Sequence, residues 1–126
     1  MVDDRTVSFL IVDDEPDMCW ALGHLLKKNG LCSKIATSGM DALQLMRNNR
    51  FPMAFLDAKL PDIDGLELAR RIRRIDPAIC IVMVSGYYYG DDAAIQQALS
   101  EGLIRGFIGK PYLHDEILKT LKNVFP

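Results

Sequence analysis

The sequence predicts an α/β fold in which a parallel sheet of five strands is covered on both faces by five helices. Short apolar runs alternate with longer stretches in which apolar residues recur every three or four positions. The first pattern indicates buried strands and the second indicates helices with one apolar face. Five strand-then-helix units in succession are typical of a doubly wound parallel sheet, because each parallel connection needs a crossover.

The predicted strands are apolar runs that we expect to be buried on both faces of the sheet. They are Ser8–Val12, Cys32–Ala36, Met53–Leu56, Ile79–Val84 and Gly106–Ile108. The sequence does not itself reveal the strand order. For a doubly wound sheet of five strands, our first expectation is the flavodoxin-like order 2-1-3-4-5.

Each predicted helix begins at a residue that suits a helix start. The helices run from Pro16 to about Asn29, from Ser38, from Gly65, from Asp91 or Asp92, and from His114 to about Phe125. Proline fits the first turn of a helix, and serine and aspartate side chains cap free backbone N–H groups. Gly30 is expected to stop the first helix.

Composition predicts one globular domain, residues 1–126, in which residues 1–6 form a tail. Hydrophobic residues make up 49% and charged residues 25% of the chain, an ordinary balance for a globular protein. The formal net charge of −2 provides no electrostatic footprint for nucleic acid and no attraction to anionic membranes. We therefore expect that this chain binds neither nucleic acid nor a membrane.

The cysteine and hydropathy patterns predict a cytoplasmic location. Cys19, Cys32 and Cys80 are widely spaced among apolar neighbours, so we expect reduced and mostly buried thiols rather than disulfides. The longest uninterrupted apolar run, Ala78–Val84, is too short to span a membrane.

Polar residues lie at the ends of four of the five predicted strands. They are Asp13, Asp14 and Glu15 after strand 1, Asp57 after strand 3, Ser85 after strand 4, and Lys110, between Gly109 and Pro111, after strand 5. In open α/β sheets, sites form at the carboxyl ends of the strands, near the point where the strand order reverses. The carboxylates, the hydroxyl and the amine are therefore expected to converge on one rim of the sheet.

Clustered carboxylates repel one another unless one is protonated or a cation joins them. Oxygen ligands with room for water suit Mg²⁺, which also prepares a site for phosphate. Asp57 can then act as a nucleophile that forms an acyl phosphate. Lys110 can pair with phosphoryl oxygens, and Ser85 can donate a hydrogen bond to them.

Four segments, FLIVDDEP, MAFLDAKLPDIDG, VMVSG and FIGKPY, resemble the signature segments of response-regulator receiver domains. They occur in the family's order, and each lies at a strand end. The resemblance extends from Ser8 to Val124. It implies a two-component phosphorelay switch that receives a phosphoryl group from a sensor histidine kinase or a phosphotransfer protein. It also implies that the domain catalyses only its own phosphorylation and slow dephosphorylation.

The resemblance also implies roles for individual residues. Asp57 would be the phosphoacceptor, Asp14 and Asp57 direct Mg²⁺ ligands, Asp13 a ligand through water, and the Lys59 backbone carbonyl the remaining protein ligand. Ser85 and Lys110 would report phosphorylation, and Phe107 falls at the family's aromatic switch position. Lys59 and Tyr87 lie beside the expected phosphoryl group, where they could set its lifetime, and a cis peptide is implied before Pro111.

The surface formed by predicted helix 4, strand 5 and helix 5 is where the resemblance places the output of the switch. We expect phosphorylation to repack this surface, which is also a candidate for homodimer contacts. The span from Ser85 to Lys110 is longer than the family leads us to expect, with extra length in 86–92 and around Leu103–Arg105. The chain is either a free-standing receiver or the receiver of a longer regulator.

Other polar residues need no function in this interpretation. Asp62 and Asp64 are turn residues beside Pro61 and Gly65. The basic run of Arg70, Arg71, Arg73 and Arg74 is expected to be a solvated helix face.

Two other function classes remain as alternatives. A Mg²⁺-dependent phosphohydrolase would show steady turnover of a phosphomonoester. In such enzymes the nucleophile and the acid tend to lie two residues apart after strand 1, whereas here Asp13 and Asp14 are adjacent and the expected nucleophile lies on strand 3. A flavodoxin-like cofactor binder would be coloured when purified, although Asp13–Glu15 would repel a flavin phosphate.

Overall fold

The computed structural model describes residues 8–86, 92–110 and 114–124. Strands and helices alternate along the chain as the sequence predicts. They are β1 (Ser8–Val12), α1 (Pro16–Lys28), β2 (Cys32–Ala36), α2 (Gly39–Asn48), β3 (Met53–Asp57), α3 (Gly65–Ile75), β4 (Cys80–Ser85), α4 (Ala93–Ser100), β5 (Gly106–Gly109) and α5 (His114–Val124). Among the described helices, none combines the length and hydropathy needed to cross a membrane.

All four strand pairings in the sheet are parallel, and the strand order is β2-β1-β3-β4-β5. The predicted fold class and strand order are therefore confirmed. In this order the chain reverses direction across the sheet between β1 and β3, which places their carboxyl ends side by side.

The bounds of β3, β4 and β5 differ from the predicted ones by one residue at an end, and β5 ends at Gly109 rather than Ile108. β3 extends through Asp57 because Asp57 pairs with Val84, and β4 extends through Ser85 because Ser85 pairs with Gly109. β4 also begins at Cys80 rather than Ile79. The polar residues at the rim are thus held within the hydrogen-bonded sheet, which fixes their backbones more firmly than a loop would.

The sheet separates two apolar cores. On one face, side chains of α2, α3 and α4 pack with alternate strand residues such as Leu10 and Val12. On the other face, α1 and α5 pack with the intervening residues, such as Phe9 and Ile11. This alternation follows from the period of two in a strand and leaves β1 buried on both faces.

The expectation that all five strands are buried on both faces is wrong for β5, in which only Ile108 is buried, and is wrong to a greater degree for β2. Only Ala36 of this strand is buried, whereas Ile35 is 46% exposed and Cys32 is also exposed. The reason is that β2 lies at the edge of the sheet, with β1 as its strand neighbour. The prediction of mostly buried thiols is correspondingly wrong for Cys32, while Cys19 is buried and Cys80 is partly buried.

Helix ends agree closely with the sequence. After α1, Gly30 adopts a φ of 78°, and the Leu31 N–H donates to the carbonyl of Leu26, as in a glycine C-terminal motif. The Ser38 Oγ caps α2 by accepting from the Asp41 N–H at 3.1 Å. Asp92 is the residue that precedes α4. Phe125, the expected end of the last helix, lies outside the described residues.

The segment just before β5 contributes two side chains to the core. Leu103 and Ile104 are 7% and 1% exposed. Arg73 on α3 donates from Nη2 to the Leu103 carbonyl at 2.9 Å and from Nη1 to the Pro77 carbonyl at 2.9 Å. The expectation of a purely solvated arginine face is therefore wrong for Arg73, whose guanidinium fork joins two loops.

Candidate functional site

Three carboxylates gather at the carboxyl ends of β1 and β3, as the topology requires. Asp13, Asp14 and Asp57 each offer one oxygen atom, and these atoms all lie within 4.8 Å of one another. Asp13 and Asp57 are buried, whereas Asp14 is exposed. The predicted convergence of acidic side chains on one rim is therefore observed.

Lys110, the residue after β5, reaches across the rim to these carboxylates. Its Nζ lies 2.8 Å from Asp13 Oδ2, 3.1 Å from Glu15 Oε1 and 3.6 Å from Asp57 Oδ2. Burial by itself lowers the pKa of Lys110, but hydrogen bonds to Asp13 and Glu15 outweigh it and raise the pKa above its ordinary value. The amine is therefore a permanent positive charge within the acidic cluster.

Asp57 is the carboxylate with the most perturbed surroundings. Its pKa is raised above the ordinary value, first by burial and then by the negative charge of Asp13. The charge of Lys110 and a hydrogen bond from the Lys59 backbone N–H act in the opposite direction. This is the electrostatic signature of crowded carboxylates, which a bound cation would relieve.

The two oxygens of Asp13 are already engaged within the protein. Oδ1 accepts from the Glu15 N–H at 2.9 Å, and Oδ2 accepts from Lys110. The Cys19 thiol donates to the Asp13 carbonyl at 3.2 Å. Burial and the nearby Asp13 charge raise the pKa of Cys19 to about 11, so this thiol stays protonated and acts as a donor rather than a nucleophile.

The remaining predicted residues lie at the same rim or next to it. Ser85 is fully buried, and its carbonyl accepts from the Lys110 N–H at 2.9 Å, which joins the ends of β4 and β5. Phe107 is partly buried and packs against the core cluster on the α3 and α4 face. Tyr87 and the peptide bond before Pro111 lie outside the described residues.

An open cleft lies over these groups. It is lined by Asp14, Glu15, Asp57, Lys59, Leu60, Pro61, Gly86 and Lys110. Asp57 is thus accessible from solvent on one side although most of its surface is covered, as a residue that reacts with a second molecule must be.

The loop after β3 folds back on itself beneath this cleft. The Gly65 N–H donates to the Ala58 carbonyl at 2.8 Å, and the backbones of Lys59 and Asp64 form an isolated antiparallel β-bridge. A Cβ atom at position 65 would collide with the carbonyl oxygen of Asp57 and lie 2.7 Å from Ala58 Cα. Only glycine therefore allows α3 to begin this close to the end of β3.

Asp62, which the sequence indicated as a simple turn residue, has a specific contact. Its carboxylate accepts hydrogen bonds from the backbone N–H groups of Gly39 and Met40, at 2.8 and 2.9 Å. These bonds hold the pKa of Asp62 below its ordinary value. The partners are more than twenty positions away in sequence, so no local motif indicated them. Asp64, which the sequence also indicated as a turn residue, caps α3 by accepting from the backbone N–H groups of Leu66 and Glu67.

The family to which the chain belongs follows from its similarity to known proteins. The sequence profile of the response regulator receiver domain matches residues 9–122. The chain belongs to the response regulator receiver domain family. The receiver domain is also 32% identical over 117 residues to sporulation initiation phosphotransferase F of Bacillus subtilis (strain 168), covering 93% of this chain and 92% of that protein.

Other relatives of this receiver domain are longer. The chain spans 45% of a receiver protein from Anaeromyxobacter sp. (strain Fw109-5) and 26% of the transcriptional regulatory protein ZraR of Escherichia coli (strain K12). Receiver domains take phosphate from histidine kinases or phosphotransfer proteins, and family membership supports a phosphoacceptor role for this one.

Solved structures agree with the assignment. A CheY-like receiver domain protein from Methanospirillum hungatei JF-1 is 26% identical with a TM-score of 0.85, covering 93% of this chain and 91% of that one. TrrA of Thermotoga maritima, solved in complex with Mg²⁺ and BeF, is 26% identical with a TM-score of 0.81, covering 94% and 99% of the two chains. Together with the acidic cluster, the latter structure supports divalent metal binding at this rim.

Proposed function

We propose that this receiver domain accepts a phosphoryl group on Asp57 from a sensor histidine kinase or a phosphotransfer protein, with Mg²⁺ as its cofactor. One observation carries the proposal. Three carboxylate oxygens lie within 4.8 Å of one another, and the partly buried Lys110 ammonium lies 3.6 Å from Asp57 Oδ2. A nucleophile, a cation site and a positive charge thus meet in one open cleft.

The donor set fits Mg²⁺ because every candidate ligand is a hard oxygen. Asp14 and Asp57 would bind the ion directly, with the Lys59 backbone carbonyl, and Asp13 would act through water. Both Asp13 oxygens already accept hydrogen bonds, which supports its indirect role. When bound, the ion offsets negative charge on the incoming phosphoryl oxygens.

The reaction uses few groups of the chain. A carboxylate oxygen of Asp57 attacks phosphorus, the bond from phosphorus to the donor's imidazole nitrogen breaks, and the neutral imidazole leaves after protonation. The product is an acyl phosphate. Lys110 then exchanges its contact with Asp57 or Glu15 for the phosphoryl oxygens, as a mobile point charge can. Small phosphodonors would serve in the same way.

Hydrolysis of the acyl phosphate would be slow, and residues over the cleft would set its rate. Lys59 lines the cleft beside Asp57, where its side chain can hinder or admit the attacking water. We assign Tyr87 the same proposed role, although it lies outside the described residues.

Signalling would follow from repacking at the far side of the rim. Ser85 would donate to a phosphoryl oxygen, and Phe107 would turn inward from its partly buried position. The changed surface comprises α4, β5 and α5, which would contact an output domain, a partner or a second copy of the chain. We propose a cytoplasmic setting for this exchange, consistent with three free cysteines.

The Mg²⁺ requirement tests the proposal. We expect acetyl phosphate to label the protein with one phosphoryl group in Mg²⁺ and not in EDTA. Asp14→Asn should need at least about tenfold more Mg²⁺ for half-maximal labelling, because a direct charged ligand is lost. Asp17→Asn, the same change at an exposed position of α1, should behave as wild type. Equal labelling in EDTA, measured by intact mass, would contradict the metal assignment.

A further inference from the structure

Asp62 joins the loop after β3 to a helix that lies elsewhere in the sequence. Its Oδ1 accepts from the Gly39 N–H and its Oδ2 from the Met40 N–H, so each oxygen holds one backbone group of α2. Asp62 itself is part of neither helix, because α2 ends at Asn48 and α3 begins at Gly65. An exposed aspartate with both oxygens committed to a distant segment has more than the role of a turn former.

Two different caps bind the first backbone N–H groups of α2. The first N–H groups of a helix have no partner within the helix. In α2, Asp62 takes those of Gly39 and Met40, and the N-cap Ser38 takes that of Asp41 through its Oγ. Both caps serve the helix, but only Asp62 also holds the β3–α3 loop.

The loop is held at two ends. At its base, the Gly65 N–H donates a hydrogen bond to the Ala58 carbonyl, and the backbones of Lys59 and Asp64 form a β-bridge. At its tip, Asp62 bonds α2, and Ile63 packs so closely over Gly39 that a Cβ atom there would collide with Ile63 Cγ2. The loop is therefore clamped between α3 and α2, and its base carries Asp57 and Lys59.

We propose that Asp62 is a positioning residue for the metal site, which it serves by tying the Asp57–Lys59 segment to the N-terminus of α2. The inference rests on the proposed function, since it takes the Lys59 carbonyl and the Asp57 carboxylate as ligands of the ion. Asp62 does not touch the ion; it holds the loop from which two of the ligands come. Residues that orient ligands in this way commonly govern metal affinity.

The anchor also uses favourable electrostatics. A carboxylate at a helix N-terminus meets the positive end of the helix dipole and two N–H donors at once. The hydrogen bonds lower the pKa of Asp62 below its ordinary value, so the carboxylate stays ionised to a more acidic pH than an ordinary aspartate does.

Ser38 provides a matched control for this role. Ser38→Ala removes the other cap of α2 and should lower stability, as loss of an N-cap does, but the hydroxyl has no described contact with the β3–α3 loop. A purely structural role for Asp62 predicts that Asp62→Ala and Ser38→Ala have the same effect on metal binding. A positioning role predicts that they differ.

The test is the Mg²⁺ dissociation constant, measured by isothermal titration calorimetry on wild type, Asp62→Ala, Asp62→Asn and Ser38→Ala, with urea unfolding of each protein. We expect Asp62→Ala to raise Kd by about tenfold, as for other residues that orient metal ligands. Asp62→Asn should give a smaller rise, because its amide oxygen can still accept one of the two N–H groups. Ser38→Ala should be less stable but bind Mg²⁺ as wild type does.

Two results would overturn the inference alone. One is an unchanged Kd in a folded Asp62→Ala protein, and the other is an equal rise of Kd in Ser38→Ala. If wild type itself shows no saturable Mg²⁺ binding, the proposed function fails and the inference fails with it.

Discussion

We expect replacement of Asp57 with asparagine to abolish labelling of the protein by acetyl phosphate in Mg²⁺. The amide nearly matches the carboxylate in shape but has no anionic oxygen to attack phosphorus, so the acyl phosphate cannot form. Because Asp57 is a buried carboxylate whose pKa burial raises, loss of its charge should leave the fold intact. Intact-mass spectrometry after incubation with the phosphodonor measures the result.

Asp41→Asn is the control for this variant. It makes the same chemical change on an exposed residue of α2 and should be labelled to the extent of wild type. Labelling of the Asp57→Asn protein to that same extent would show that another side chain accepts the phosphoryl group.

Gly65→Ala should destabilise this domain much more than Gly106→Ala does. The new Cβ would lie 2.7 Å from Ala58 Cα and collide with the Asp57 carbonyl oxygen, and neither is the end of a flexible side chain. We expect a loss of about 2 to 3 kcal/mol in the free energy of unfolding, the cost of forcing an extra carbon into packed structure. Urea unfolding followed by circular dichroism measures it.

Gly106→Ala is the matched comparison. At this β5 position a Cβ would meet its nearest neighbour, Val82, at 3.9 Å, an ordinary contact, so stability should change little. Equal free energies of unfolding for the two alanine variants would contradict the close approach of α3 to β3. The Gly65 variant, where it folds, should also be labelled more slowly, since the displaced atoms belong to Asp57.

The rim could be predicted from sequence because topology alone places it. Once five alternating units indicate a doubly wound sheet, residues at the carboxyl ends of its strands must lie together, and Asp57 and Lys110 need no further contact information. The start of α2 was equally predictable, because the Ser38 cap acts on an N–H group three residues away. The Asp64 cap of α3 is just as local, although Asp64 was interpreted only as a turn residue.

Long-range polar contacts could not be predicted in this way. The bonds of Asp62 to α2 and of Arg73 to the Leu103 carbonyl connect residues that no local pattern relates. Which backbone groups each of these side chains contacts depends on how distant segments of the chain pack together. The exposure of β2 was missed for a related reason. Ser33 and Lys34 make β2 more polar than the central strands, and its place at the sheet edge leaves Ile35 in solvent.

Borohydride trapping tests the central claim most directly, because it identifies the acceptor in the unaltered protein. Wild type is phosphorylated with acetyl phosphate and Mg²⁺, treated with sodium borohydride, digested and analysed by tandem mass spectrometry. Borohydride reduces an aspartyl phosphate to homoserine, so we expect this residue at position 57 in the peptide that contains Met53–Asp57. Homoserine at position 13 or 14 instead, or a phosphoryl group that resists borohydride on another side chain, would contradict the account.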